Sequence, residues 1–407
     1  MADQNGFPRY LLKRSPAERK AYFHEYWVGH SRITEVADEV QRLIREPADA
    51  EIIYVIGPTG VGKSTVMRYV LKKLYEEAMP ELERNPGKIP AAFIELDNPD
   101  TGSYEWKDHY INTLIALDEV LIDKKIYLLE PGISKDEQKA RVKKEVGGRS
   151  ALRRAAQNAL KNRILYAFFN DEAQFMTKRK SGEGLIDQAD TIRSLAAKSG
   201  TLHVLFGTYP LRHLRNLNGQ LGRRSHTVHF SRYKIEDAPD GGIQEIKSFV
   251  QAFLSFQANL PFATPPDLTK HAEFCFLRCL GCVGHLKSWF KRAYAMALED
   301  NCETLSSRLF LKAAPSKAVW SHIAEEIKVG EEALEENDEE LAAELFKLQA
   351  VSALESPKTE KSSASSKKGS GKSSNHSDSA DPKTKRKKRP FKLNPKRYPT
   401  EGSDMVN

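Results

Sequence analysis

Cysteine is scarce in this chain of 407 residues: Cys275, Cys279, Cys282 and Cys302 are the whole complement, and they share one short region. Also missing is any stretch near the roughly 18 to 20 consecutive apolar residues that a membrane helix requires. The opening residues, MADQNGFPRYLLKRS, lack the apolar run of a secretory signal. These absences argue against a disulfide framework and against a membrane partner, and the chain reads as intracellular. An excess of positive charge is missing from most of the length. The formal net charge is +8, yet after residue 355 fourteen Lys and Arg stand against five Asp and Glu, so the remainder is close to neutral.

That basic tail, 355–407, is itself almost without apolar residues over SPKTEKSSASSKKGSGKSSNHSDSADPKTKRKKRPFK. It cannot bury enough surface to offset the entropy of ordering and is expected to be disordered. The cluster Lys385 to Arg389 fits a nucleic-acid patch, a nuclear-localisation look-alike or a solvated charge run. Phe391, Leu393 and Tyr398 beyond it favour a tether whose end docks on a partner. Before the tail, GEEALEENDEELAAELFKLQAVSALE reads as an acidic helix that closes the folded part near Leu354.

What the body does contain is a phosphate-binding loop. IGPTGVGKST, Ile56 to Thr65, satisfies G-x-x-x-x-G-K-[ST] and follows the β-rich run EIIYVIG. The helical spacing of Val66, Val70, Leu71 and Leu74 comes after it. In such a loop backbone N–H groups turn toward phosphate at a helix N-terminus. The stretch Gly57, Pro58, Thr59, Gly60, Val61, Gly62, Lys63, Ser64 and Thr65 is therefore assigned to ATP, with Lys63 bridging the β- and γ-phosphates and the Ser64 hydroxyl on Mg²⁺. AAFIELD, RILYAFFNDEA, TLHVLFGTY and HTVHFSRY are further short apolar runs, separated by helical stretches. That alternation is the pattern of a parallel sheet wrapped by helices. From Ile235 onward helices alone follow.

Asp171, at the end of the strand RILYAFFND, is expected to hold Mg²⁺ through water, and Glu172 to orient or deprotonate an attacking water. The bland alternative is that the pair begins a solvated loop. Asn170 is unusual where an aliphatic residue is common. Thr208 ends the next strand and either contacts the γ-phosphate or its water, or is a turn residue. Arg223 and Arg224, just before the last strand, are candidates for an arginine finger, with surface or DNA contacts as the alternative. HAEFCFLRCLGCVGH places His271, Cys275, Cys279, Cys282 and His285 close together, which invites zinc, but only one clean C-x-x-C pair is present. Small core residues are the preferred reading of the cysteines.

Loop, NDEA, GTYP, paired arginines and a helical lid, in that order, resemble the AAA+ ATPases. More narrowly, FFNDEAQ, VLFGTYPLRHL, GRRSHTVHFSRY, FLSFQANLPF and GCVGHLKSWFKRAYAMAL resemble the TnsC/TniB group of transposition regulators, over roughly Tyr22 to Asp300. The resemblance implies an α/β fold: an AAA+ P-loop NTPase core, a parallel sheet wrapped by helices, followed by a small α-helical lid. The expected layout is a helical N-terminal segment over 1–45, the core over 46–234, lid and C-terminal helices over 235–354, and the tail. It implies a bacterial, cytoplasmic, DNA-associated ATPase with a regulatory role, while the departures from the group at Asn170 and His285 point to slow hydrolysis. It further implies a homo-oligomeric ring or filament on double-stranded DNA that links a target-selection protein of TniQ/TnsD type to a transposase, with an RNA-guided complex upstream left open. ATP would lie between subunits, which suits an arginine supplied in trans. The group often has GRL in the lid where this chain has Gly284-His285-Leu286, so His285 or Lys287 would have to serve as the lid's sensor. For DNA, the region after the second strand offers Tyr104, Lys107, Lys124 and Lys125 as phosphate contacts, or as ordinary surface residues. A replication initiator or helicase loader, or a non-DNA signalling or secretion ATPase, shares the core and remains as the alternative.

Overall fold

A computed structural model describes residues 6–122, 148–178, 184–215, 224–235 and 240–334. The expected closing helix lies outside these residues from 335 onward, and the basic tail, Lys124, Lys125 and Arg223 lie outside them altogether.

Helix α1 (Pro16–Glu25) starts at a capping box. Ser15 accepts the Glu18 N–H while Glu18 reaches back to the Ser15 N–H, and Pro16 occupies the first position, where its missing N–H does no harm. Helix α2 (Ser31–Arg45) buries Ile33, Val36, Val40, Leu43 and Ile44, a stripe at helical spacing. Strand β1 (Ile52–Ile56) is buried at every residue, as a strand covered on both faces must be. It runs into α3 (Lys63–Arg84), then β2 (Ile89–Glu95), α4 (Trp106–Ala116), α5 (Arg149–Arg163), β3 (Ile164–Asp171), α6 (Leu185–Ser199), β4 (Leu202–Gly207) and β5 (Ser225–His229). All four pairings are parallel and the order is β2-β3-β4-β1-β5. The phosphate loop, the Asp171 end of β3 and the Thr208 end of β4 therefore meet at one edge, the carboxyl edge, where open α/β sheets bind ligands.

The side-chain alternation of β1 divides the interior. Ile53 and Val55 pack with Val36 and Val40 of α2 and Val66 and Val70 of α3. Ile52, Tyr54 and Ile56 pack on the other face with Tyr110, Leu152, Leu160 and Leu195. Part of the charged stretch that precedes β3 is thus the core-facing helix α5, which buries Leu152, Ala156 and Leu160.

A third core belongs to the lid, α7 (Ile243–Ala258), α8 (Ala272–Arg278), α9 (Val283–Glu299) and α10 (Ser307–Lys312), and is rich in aromatics: Phe253, Phe256, Trp289, Phe290 and Phe310. Phe23 of α1 inserts into it, and the Tyr22 hydroxyl donates to Asn259 Oδ1 at 3.2 Å. The expected N-terminal segment is therefore split: α1 joins the lid and α2 the core. Between them, Tyr233 is the meeting point. Its hydroxyl lies 2.9 Å from His30 Nδ1 and 3.0 Å from Ser31 Oγ, its N–H donates to Gly281 O, and a Cβ on Gly281 would fall 1.8 Å from its carbonyl oxygen. Helix α11 (Lys317–Glu332) follows, and no helix among the described residues is long and apolar enough to cross a membrane.

Candidate nucleotide site

The loop leaves β1 beside its neighbours. Gly57 N–H donates to Gly207 O at 3.2 Å, Ile56 O accepts from Phe230 N–H at 2.8 Å, and a Cβ on Gly57 would stand 2.3 Å from Phe230 O. Gly60 and Gly62 have φ of +75° and +120°, backbone that side chains rarely adopt, so glycine is required for the turn into α3. Lys63, the first residue of α3, is buried, and its Nζ donates to Gly57 O and Pro58 O, both at 2.9 Å. Burial pulls its ammonium below the ordinary lysine range, against the opposing pull of the Glu172 and Asp171 carboxylates. Ser64 and Thr65 are half-buried in the first turn.

Asp171 closes β3 and is buried, while Glu172 turns into left-handed backbone at φ 54° and donates its N–H to Asp171 Oδ1 at 3.0 Å. Gln174, two residues on, donates from Nε2 to Glu172 Oε2, and its Oε1 accepts the Thr208 N–H at 3.1 Å. The structure thus gathers Lys63, Asp171, Glu172 and Thr208 at one edge, and adds Gln174. Gln174 closes the FFNDEAQ stretch, but the sequence reading gave it no role, because its partner Thr208 lies 34 residues away.

Opposite the sheet edge, the lid rests directly on the loop. Gly284 N–H at the start of α9 donates to Gly60 O at 2.8 Å, and a Cβ on Gly284 would meet that oxygen at 2.4 Å. The His285 ring covers Gly60 so closely that a Cβ there would lie 2.2 Å from it. Burial holds the His285 ring below its ordinary value and pushes the Lys287 ammonium down to about 8, with Lys291 and Arg68 adding to the latter. Of the two sensor candidates, His285 is the one in contact with the loop.

Other expected residues fall elsewhere. Arg224 precedes β5 at the amino edge of the sheet, where it pairs with Glu51 at 2.7 Å, 58% exposed. Register places Ser225 beside Ile52 and His229 beside Ile56, so Arg224 is a strand's length, about 15 Å, from its own loop. The placement of Tyr104 needs correction: it is buried, with its hydroxyl 2.8 Å from His109 Nδ1, and is committed to the core rather than to a phosphate. The crevice beside it is lined by Asp97, Asp100, Glu105 and Asp108, which repel a polyanion. Lys107 is exposed on α4. Cys275, Cys279 and Cys282 are buried among apolar side chains, burial pushes the thiols of Cys275 and Cys282 up to about 12, and among the described residues no three His, Cys, Asp or Glu side chains gather in a way that could hold a metal ion.

Sequence reasoning also missed a part-buried ion pair. Arg232, just past β5, donates from Nε and Nη2 to the two oxygens of Glu331 at 3.1 and 3.2 Å. The pair fastens α11 across the end of β4, where a Cβ on Gly330 would strike the Tyr209 ring at 2.1 Å. The partners are 99 residues apart, beyond any local pattern.

Residues 44–214, which span β1 to β4, match a protein family described as the AAA domain. The chain has the AAA+ P-loop NTPase fold. No curated protein matches it in sequence. Solved structures similar to it include the ORC2 protein of Aeropyrum pernix in its ADP form, at 13% identity over 72% of this chain and 71% of that one, TM-score 0.46. The same protein in ADPNP–ADP complexes is 14% identical over 78% and 73%, TM-score 0.48. Drosophila ORC bound to DNA is 14% identical over 77% and 68%, TM-score 0.39. In this AAA+ fold the residues present suit a nucleotide: glycines a side chain cannot replace, a buried lysine at a helix start, and a buried carboxylate at the adjacent strand end.

Proposed function

We propose that the protein is an ATP-dependent regulator of DNA transposition, which assembles as a ring or filament on double-stranded DNA and couples target selection to transposase recruitment. The observation that carries this reading is the Gly284 N–H to Gly60 O hydrogen bond, which ties lid position to the loop that holds phosphate. A lid attached in this way changes the outer shape of a subunit when the nucleotide changes, which is what a nucleotide-gated assembly needs. The motif series FFNDEAQ, VLFGTYPLRHL and GRRSHTVHFSRY supports the transposition part.

In this scheme Lys63 exchanges Gly57 O and Pro58 O for β- and γ-phosphate oxygens. Ser64 and Asp171 would hold Mg²⁺, which when bound neutralises phosphate charge. Glu172 takes a proton from the attacking water as its oxygen bonds to the γ-phosphorus and the bond to the ADP oxygen breaks. Arg224, remote from its own loop, faces outward and suits a neighbouring subunit's phosphate. Hydrolysis then serves disassembly and turnover.

Electron microscopy of the full chain with double-stranded DNA and a non-hydrolysable ATP analogue tests the reading, with Lys63→Ala in parallel. Rings or filaments that require both ligands and vanish in the variant are expected. Monomers under every condition overturn the assembly claim.

A further inference from the structure

A base that activates water must be aimed as well as present. Glu172 follows the strand in left-handed backbone, is half-buried, and caps no backbone N–H of the turn that follows it. Gln174 gives the carboxylate a direction. Its side-chain amide lies between two chain ends: Nε2 donates to Glu172 Oε2, and Oε1 accepts the Thr208 N–H at 3.1 Å. The orientation of the amide follows from its partners, because a backbone N–H can only donate and a carboxylate here can only accept.

The surroundings are shaped around that amide. A Cβ on Gly207 would lie 2.9 Å from both Gln174 Oε1 and Leu211 Cδ2 and 3.0 Å from the Gln174 backbone nitrogen, so glycine at the end of β4 leaves the space that the Gln174 amide occupies. The turn that carries Gln174, Ala173–Thr177, is closed by the Thr177 hydroxyl, which donates to Gln174 O at 2.7 Å. Ala173 and Met176 anchor the turn in the core. A long, flexible side chain is thereby given a fixed base, a fixed far end and a single direction.

We propose that Gln174 is the positioning residue for Glu172. By donating to one carboxylate oxygen it leaves the other to take the water's proton, and through the Thr208 N–H it sets that direction relative to the end of β4. Gln174 touches neither water nor phosphate; it acts only through Glu172. The proposal rests on the ATPase reading above.

The test is single-turnover ATP hydrolysis by the full-length protein carrying Gln174→Ala, Gln174→Glu, Glu172→Gln and the double change Glu172→Gln with Gln174→Ala, with nucleotide Kd and Tm measured for each. Gln174→Glu keeps the shape and the acceptor for Thr208 but removes the donor to Glu172. Both single changes at Gln174 should slow hydrolysis by roughly 10- to 100-fold, the range for misplacing a catalytic group, while Kd and Tm stay near wild type. The double variant should be no slower than Glu172→Gln, because a residue that acts through another has no effect once that other is gone. Gln174 variants that hydrolyse at or above the wild-type rate overturn the proposal, as does a double variant slowed by the full product of the single effects. Wild-type protein that binds ATP and never hydrolyses it removes the ATPase reading itself, whereas an active wild type indifferent to Gln174 removes the positioning alone.

Discussion

His109, His203 and His30 are buried, and burial holds their rings neutral: His109 and His203 are pushed down to about 3 and His30 to about 4. For His109 a charge on nearby His203 adds to the effect, and for His30 the Arg32 guanidinium does. In the unfolded chain each ring titrates near 6.5. Below that pH the unfolded state binds protons that the folded state refuses, so stability falls with falling pH; above it both states carry neutral rings and the contribution vanishes. Integrated from pH 6.5 down to 5, each ring removes about 1.6 kcal/mol, and the three together roughly 5 kcal/mol. That is comparable to the whole net stability of many domains, ~5–15 kcal/mol. Urea unfolding followed at pH 7.5, 6.5, 5.5 and 5 measures it. The midpoint should be level over the first interval and drop steeply after it. His203→Gln, whatever its effect at pH 7.5, should reduce the acid slope by about a third. A midpoint level down to pH 5, or an unchanged slope in the variant, would refute the argument that these rings are buried and neutral.

Gly284→Ala places a methyl group against Gly60 O and should push α9 off the loop; nucleotide Kd should rise on the order of tenfold, given ~1–3 kcal/mol for such overpacking. Because the same overpacking strains the folded chain, Tm should fall as well, and an unchanged Kd in titration calorimetry would count against the lid contact. Glu331→Ala removes both carboxylate acceptors of the Arg232 guanidinium and should lower stability by about 1–3 kcal/mol in denaturant unfolding; a change near zero would show that the pair does not fasten α11.

Legibility followed the range of the interaction. The loop, the strand before it and the Asp171-Glu172 strand end were readable because eight to twelve neighbouring residues carry the chemistry and the geometry together. Parallel strands alternating with helices were readable because a buried strand is apolar throughout, as β1 is. Gln174 was not, because its meaning depends on Thr208, 34 residues on, and on a bare Gly207. Arg232 and Glu331 are likewise paired only by the fold. Tyr104 illustrates the converse: an aromatic before a helix reads equally as surface or core, and only the packing of Trp106 and His109 against it decides for the core. The split of the N-terminal segment was hidden for the same reason, since Phe23 looks like any helical apolar residue until the lid surrounds it.

Tyr233 also sets the mechanics of the molecule. The chain passes between core and lid after α1, after β5 and again before α11, and the first two passages run by this one side chain, through His30 and Ser31 on one side and Gly281 on the other. Two struts crossing at a common pin form a knuckle, and Arg232 to Glu331 adds a second tie away from it, so rotation about the pin disturbs fewer contacts than sliding. A swing moves the far end of α9 through a longer arc than its Gly284 end, so a small displacement at the phosphate loop is geared up at the outer rim of the lid.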